Sequence, residues 1–122
     1  MQAGRPSWIA AAALCLPAIS IAQQIAIGEY EVPTADSDPE GIATGSDGAL
    51  WFAEYNSDKI GRATTAGAIT DYAVPTAKSG PSGIAAGPDG ALWFTEINGN
   101  KIGRTTTAGA VTEYAVPTAD SG

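Results

Sequence analysis

A 42-residue repeat is the feature that most constrains how this chain folds. Residues 39–80 and 81–122 align without a gap and are identical at 31 of 42 positions. Each copy opens with Pro-x-Gly-Ile-Ala and continues through Asp-Gly-Ala-Leu-Trp-Phe and then Lys-Ile-Gly-Arg. A period of this length indicates a supersecondary unit that stacks on copies of itself, because one such unit cannot bury its apolar surface alone.

Turn signals divide each unit into four segments of strand length. In the first unit, the dipeptides Asp47-Gly48 and Ala66-Gly67 and the polar stretch 56–58 separate these segments. The strands predicted for this unit are Gly41–Gly45, Ala49–Glu54, Lys59–Thr64 and Ala68–Val74. Aromatic and β-branched residues are concentrated in the second and fourth segments, as pleated and partly buried strands favour. The first segment has no large aromatic side chain, so we expect it nearest the central axis, where strands of several units converge.

Four strands in a unit of this length are typical of a β-propeller blade. We therefore predict an all-β fold, a partial β-propeller of four-stranded antiparallel sheets, with residues 39–80 as the first blade and 81–122 as the second. The Tyr-x-Val-Pro sequence at 30–33 matches that at 72–75, so residues 23–38 are predicted to hold the last strand of a preceding blade and a linker. The alternative is an open β-solenoid or a small sandwich. A solenoid turn is shorter, and a sandwich does not explain the repeat.

Residues 1–22 have the pattern of an export signal peptide. Arg5 precedes an apolar run over 8–21, and small residues lead up to an expected cut after Ala22. The run is shorter than the ~20 residues of a membrane-spanning helix. We therefore expect a secreted or periplasmic protein without a membrane segment after cleavage, and an uncleaved anchor is the alternative. Cys15 lies inside this segment, so cleavage leaves no cysteine for disulfides or metal binding.

The charge of the remaining chain argues against nucleic acid as a partner. Residues 23–122 hold five basic and thirteen acidic side chains, a net charge of 5 − 13 = −8. Nucleic acids are bound through Lys and Arg that neutralise phosphates, and anionic membrane surfaces also attract basic segments. The composition is instead compatible with cationic ligands.

The motifs of the second unit resemble the streptogramin lyase family. They are Gly-Pro-Asp-Gly-Ala-Leu-Trp-Phe-Thr-Glu at 87–96, Asn-Lys-Ile-Gly-Arg at 100–104 and Val-Thr-Glu-Tyr at 111–114, and the resemblance extends over residues 25–122. It implies a closed seven-bladed propeller. It also implies a Mg²⁺-assisted lyase that linearises cyclic streptogramin B antibiotics by elimination at the ester bond, without water, and hence a small cyclic peptide ligand.

The resemblance implies a catalytic histidine between the Pro and Gly that open one blade. That position holds Glu40 in the first unit and Ser82 in the second, and none of the 122 residues is histidine. A general base contributes about 10²–10⁴-fold and works best with a pKa near the working pH. We therefore predict no catalytic residue in this chain, and Glu40 as the one substitute base if its pKa were raised.

The resemblance also places metal-holding carboxylates just before that Pro and at the end of the Trp-Phe strand. In the first unit these positions are Asp38 and Glu54, and in the second they are Gly80 and Glu96. With Glu40, the first unit offers three carboxylates, the ligands that Mg²⁺ prefers, so these three residues are the candidate metal site. The alternative is that Asp38 and Glu40 are solvated and that Glu54 accepts backbone hydrogen bonds at its strand end.

Other repeated side chains are predicted to be structural. Trp51 and Trp93 lie in a repeated apolar strand and are expected between blades. Lys59 and Arg62, which recur as Lys-Ile-Gly-Arg in the second unit, are expected to pair with strand-end acids.

Two blades leave outer faces that need partners. Both units carry the same interior pattern, without the polar change that caps the end of a repeat array. The partners expected are further blades of a longer propeller, or further copies of this chain, three of which would give six blades. The first case makes the chain a fragment of a streptogramin B lyase-like propeller, inactive alone. The second makes it a noncatalytic binding or scaffold module that oligomerises.

Overall fold

The computed structural model describes residues 26–120, which contain eight β-strands and no helix. The strands are β1 (Pro39–Thr44), β2 (Leu50–Glu54), β3 (Lys59–Ala63), β4 (Ile69–Ala73), β5 (Pro81–Ala86), β6 (Leu92–Glu96), β7 (Lys101–Thr105) and β8 (Val111–Ala115). Strands β1–β4 form one antiparallel sheet in sequence order, and β5–β8 form a second. The prediction of four-stranded blades is confirmed, and the strand ends of the first blade lie within two residues of those predicted.

The segment before the first blade carries no strand in its described part, residues 26–38. A strand needs a neighbour for its ladder of hydrogen bonds, and none of the described strands pairs with this segment. The last strand of a preceding blade therefore stays a prediction, and the signal peptide predicted over 1–22 lies outside the described residues. The chain divides into a unit that ends at Tyr30 and a second unit from Glu31 that contains both sheets. Within 26–120 there is no helix long and apolar enough to span a membrane.

The first hairpin turn of each blade is braced by an aspartate. Gly48 adopts a φ of 80°, which the Asp-Gly signal predicted because glycine has no Cβ to clash there. The Asp47 carboxylate accepts hydrogen bonds from the Ala49 amide at 3.1 Å, the Trp51 indole N–H at 3.2 Å and Arg62 Nε at 2.8 Å. The second blade repeats this brace with Asp89, Trp93 and Arg104.

Arginine therefore pairs with a turn aspartate, and the prediction that Arg62 pairs with a strand-end acid is wrong. The cross-strand register explains why Arg62 pairs with Asp47. Arg62 lies opposite Trp51, near the start of β2 and beside the turn that holds Asp47, and so away from Glu54 at the end of β2. The guanidinium lies 5.8 Å from the Trp51 ring centroid, within cation–π range. Hydrogen bonds from Trp93 first, and then from Arg104, lower the pKa of Asp89 to about 2.

Each sheet has two faces, set by the alternation of side chains along the strands. We call the face that carries Trp51 or Trp93 the front face, and the face that carries Phe52 or Phe94 the back face. The front face of the first blade packs on the back face of the second. This contact forms the apolar core, which contains Ala49, Trp51, Ala53, Ile60, Val74, Leu92 and Phe94.

The position of each tryptophan follows from this stacking. Trp51 is fully buried, which agrees with its prediction as a residue between blades. Trp93 is only half-buried, because the front face of the second blade has no blade packed on it among the described residues. The same sequence pattern therefore gives one closed and one open face.

The first strands of the two blades, β1 and β5, approach each other closely, and we call them the inner strands. A Cβ on Gly41 would lie 2.8 Å from the Ser82 carbonyl oxygen, and Ser82 donates a side-chain hydrogen bond to Glu40. A glycine is thus required at position 41 by the backbone of the neighbouring blade.

We predict that Gly103→Ala destabilises the chain by about 1–3 kcal/mol, because the added Cβ would overlap the Phe94 ring in the core. Urea denaturation followed by tryptophan fluorescence measures the change. Thr112→Ala, on the exposed surface of β8, is the control and should change the free energy of unfolding by less than about 0.5 kcal/mol. Equal stability of Gly103→Ala and the parent chain would contradict the packing described here.

Candidate functional site

The three candidate metal ligands lie near the start of β1 and the end of β2 but in different environments. Asp38 is exposed, has a φ of 55°, and its carbonyl accepts the Tyr55 amide at 3.1 Å. Glu40 is exposed on β1 and accepts the Ser82 hydroxyl of the second blade. Glu54 is fully buried at the end of β2, where it pairs in register with Pro39.

These carboxylates do not form a ligand set. Among residues 26–120, no group of three or more acidic, His or Cys side chains is placed to hold a metal ion. A hard cation such as Mg²⁺ needs several oxygens at near-octahedral positions. The exposed Glu40 is hydrogen-bonded across the blades, whereas Glu54 lies buried within its own blade, so these three carboxylates do not by themselves fit the ion.

The strand-end glutamates instead face a second acid inside their own blade. Ser57 Oγ donates to Glu54 Oε1 at 3.0 Å, while Glu54 Oε2 and Asp71 Oδ1 are both buried without a donor from the protein. Two such oxygens on neighbouring acids are satisfied when one carboxyl keeps its proton and donates it to the other. Burial, and then hydrogen bonding to Asp71, raise the pKa of Glu54 to about 7.

The second blade repeats this acid pair with Glu96 and Glu113. Both Glu96 carboxyl oxygens and Glu113 Oε1 are buried without a donor. Burial first, and then hydrogen bonding and charge repulsion from Glu113, raise the pKa of Glu96 to about 8, and the Asp58 carboxylate adds to the rise. The pKa of Glu113 is lowered: burial opposes this, but hydrogen bonds from Glu96 and Thr76 and the charge of Lys101 outweigh it.

A lysine and a threonine tie each acid pair to the segment that leads into the blade. Lys101 Nζ donates to Thr76 Oγ1 at 2.7 Å, Thr76 Oγ1 donates to Glu113 Oε2 at 3.0 Å, and Lys101 lies 3.9 Å from that carboxylate oxygen. In the first blade the same network joins Lys59, Thr34 and Asp71. The repeated lysine is therefore part of the internal network of its blade, but the acid that Lys101 contacts is Glu113 in the middle of β8 and not the strand-end acid that was predicted.

Sequence reasoning missed these acid pairs. The available signal was their spacing, because acids recur 42 residues apart both at 54 and 96 and at 71 and 113. The fully buried Glu54 also differs from both earlier alternatives, since its observed donor is a serine hydroxyl rather than a metal or a backbone amide.

A model of the virginiamycin B lyase family matches residues 17–122 of this chain. The virginiamycin B lyase of Bacillus licheniformis is 56% identical over 46 residues, which are 38% of this chain and 16% of that protein.

Solved structures show the same likeness over a longer stretch. The crystal structure of virginiamycin B lyase from Staphylococcus aureus, with selenomethionine, superposes with a TM-score of 0.77 at 54% identity, over 78% of this chain and 32% of that one. A catalytically inactive histidine-to-alanine variant of that lyase, solved with quinupristin, gives the same values. The chain thus spans a third or less of the length of these relatives.

We predict that stability falls as the pH rises from about 4.5 to about 8 through the Glu96 carboxyl. The folded chain keeps this proton up to about pH 8, whereas the unfolded chain releases it near its ordinary pKa of 4.5. The stabilisation is therefore complete below the unfolded pKa and is lost as the pH rises through the folded one.

Glu96→Gln replaces the protonated carboxyl by a neutral amide, so it should flatten this decline when melting temperatures are compared across the range. Glu31→Gln, at an exposed position, is the matched control and should keep the parent slope. An unchanged slope in Glu96→Gln would show that the acid pair does not hold the proton.

Proposed function

This chain belongs to the virginiamycin B lyase family, and on that basis we propose that its two blades are a portion of a streptogramin B lyase-like β-propeller that does not open the antibiotic ring by itself. The complete propeller would linearise cyclic antibiotic lactones by metal-assisted elimination. We further propose that residues 1–22 direct export, which would place the protein outside the cytoplasm.

The observation that carries the proposal is the pair formed by Glu40 and Ser82. These residues occupy the positions between Pro and Gly that open each blade, and they bind each other across the blades. Elimination at an ester requires a base for the proton next to the leaving group. A serine hydroxyl is too weakly basic at neutral pH, and the exposed Glu40 carboxylate is already engaged with that hydroxyl.

Two further observations support the proposal. No histidine occurs in the 122 residues, and the Staphylococcus aureus lyase is described as catalytically inactive when a histidine is replaced by alanine. The carboxylates of this chain also do not converge on a cation position, so metal assistance would need ligands from elsewhere in a complete ring.

The second candidate is a noncatalytic propeller module that oligomerises. The observation that favours it is the open front face of the second blade, which carries the half-buried Trp93 and Ile102 and the exposed Tyr114. Apolar surface of this kind is covered by a partner in stable propellers.

We expect no ring opening when the chain is incubated with a streptogramin B antibiotic and Mg²⁺. Reverse-phase chromatography separates the cyclic and linear forms and is preferred to mass alone, because elimination leaves the mass unchanged. The Staphylococcus aureus lyase is the positive control.

Turnover by this chain that disappears in Glu40→Gln would overturn the proposal, because it would identify the Glu40 carboxylate as a base. Turnover that persists in that variant would overturn it as well, because activity would then need neither histidine nor Glu40.

A further inference from the structure

We propose that the front face of the second blade binds the back face of the first blade of another copy of this chain. This inference specifies the partner in the second candidate function. It does not depend on catalysis, because its readout is the mass of the assembly and not the state of an antibiotic.

The first argument is that the open front face repeats a face that is already an interface. Ala53 and Ile60 are fully buried where the two blades meet. Their counterparts on the second blade, 42 positions later, are the exposed Thr95 and the half-buried Ile102. The Thr95 hydroxyl accepts the Gly83 amide at 2.9 Å, so its oxygen would stay hydrogen-bonded when this face is covered.

The reciprocal face is open at the other end of the chain. In the interface between the blades, Leu92 is fully buried and Ile84 packs against the core. Their counterparts on the back face of the first blade are the half-buried Leu50 and Ile42, which is 61% exposed. The chain therefore carries both halves of its own interface uncovered, one on each blade.

The shapes of the two outer faces also match at the turn between the third and fourth strands of a blade. Inside the chain the Tyr72 ring lies where a Cβ on Gly109 would be, so this contact requires glycine. The counterpart ring is Tyr114, which is 49% exposed, and the counterpart glycine is Gly67, whose φ of 92° matches the 91° of Gly109. A second copy would place its Gly67 turn under the exposed side of the Tyr114 ring, which stacks on Trp93.

The polar contact between β1 and β5 is made inside the chain only. Ser82 of the second blade donates its single hydroxyl hydrogen to Glu40 of the first. Between copies, Glu40 would lie on the incoming blade and Ser82 on the receiving blade, so this hydrogen is already used and the contact between copies depends on the apolar faces.

The open face carries a groove where another blade would pack. This groove of about 230 Å³ is lined by residues of β5, β6 and β7, among them Ala85, Trp93 and Ile102. In the closed interface the corresponding surface is filled by side chains of the next blade, Leu92 and Phe94. In a second copy, the half-buried Leu50 would face this groove, whereas Phe52 is already buried in its own chain.

This arrangement is head-to-tail, since different faces meet. Such contacts close into a ring when the rotation between copies allows it. Propellers of about four to eight blades are known, so two to four copies of a two-blade chain would close one. We therefore expect one discrete assembly rather than a distribution of sizes.

The test uses light scattering after size-exclusion chromatography on the purified chain over a wide concentration range. Thr95→Glu places a charge at the position whose counterpart Ala53 is fully buried, and Ile42→Glu does the same on the reciprocal face. Both positions are exposed in the single chain, so folding should persist, which circular dichroism checks. Ala108→Glu, at an exposed turn position, is the matched control.

We expect the parent chain and Ala108→Glu to form the discrete assembly, and each face variant to be a monomer. Mixing Thr95→Glu with Ile42→Glu should give a dimer, because each variant keeps the face that the other has lost. A monomeric parent chain overturns the proposal and leaves a further blade of a longer polypeptide as the occupant. Assembly that survives both face variants, or a mixture that stays monomeric, also overturns it.

Discussion

The packing of one blade on the next is the interaction on which the rest of this structure depends. A four-stranded sheet satisfies its internal backbone hydrogen bonds alone, but it cannot bury two apolar faces. Here the front face of the first blade covers the back face of the second, and the fully buried Trp51 and Ile60 lie in that contact. The two outer faces have the same apolar character, so each of them is the kind of surface that another blade covers.

Local features of the fold could be predicted because they depend on local chemistry. The Asp-Gly turns and the four strands of each unit follow from the positive φ of Gly48 and Gly90 and from apolar segments of strand length. The acid pairs could not be predicted, since Glu54 and Asp71 meet across three strands and only the register brings them together. The partner of Arg62 was missed for the same reason. The candidate metal ligands Asp38, Glu40 and Glu54 follow from a sequence motif. Their burial and hydrogen bonds are determined by contacts with the second blade and with other side chains of the same sheet, which the motif does not contain.

The difference between fold and chemistry is clear at the blade openings. The backbone of the inner strands is retained in both blades, with Pro and Gly flanking a variable position. That position holds Glu40 and Ser82, which bind one another. Part of the scaffold of the lyase family is therefore present in these two blades, and the position between Pro and Gly differs from one blade to the next.

The hydrogen bonds of the brace formed by Asp47, Trp51 and Arg62 join only β2, β3 and the turn that precedes β2. Nothing outside the unit is required to build it. An in-frame duplication of one unit would consequently add a blade whose first turn is already braced, and later substitutions could be confined to the surfaces that meet neighbours or ligands. The number of blades in a chain can therefore change by whole units during evolution without redesign of these turns.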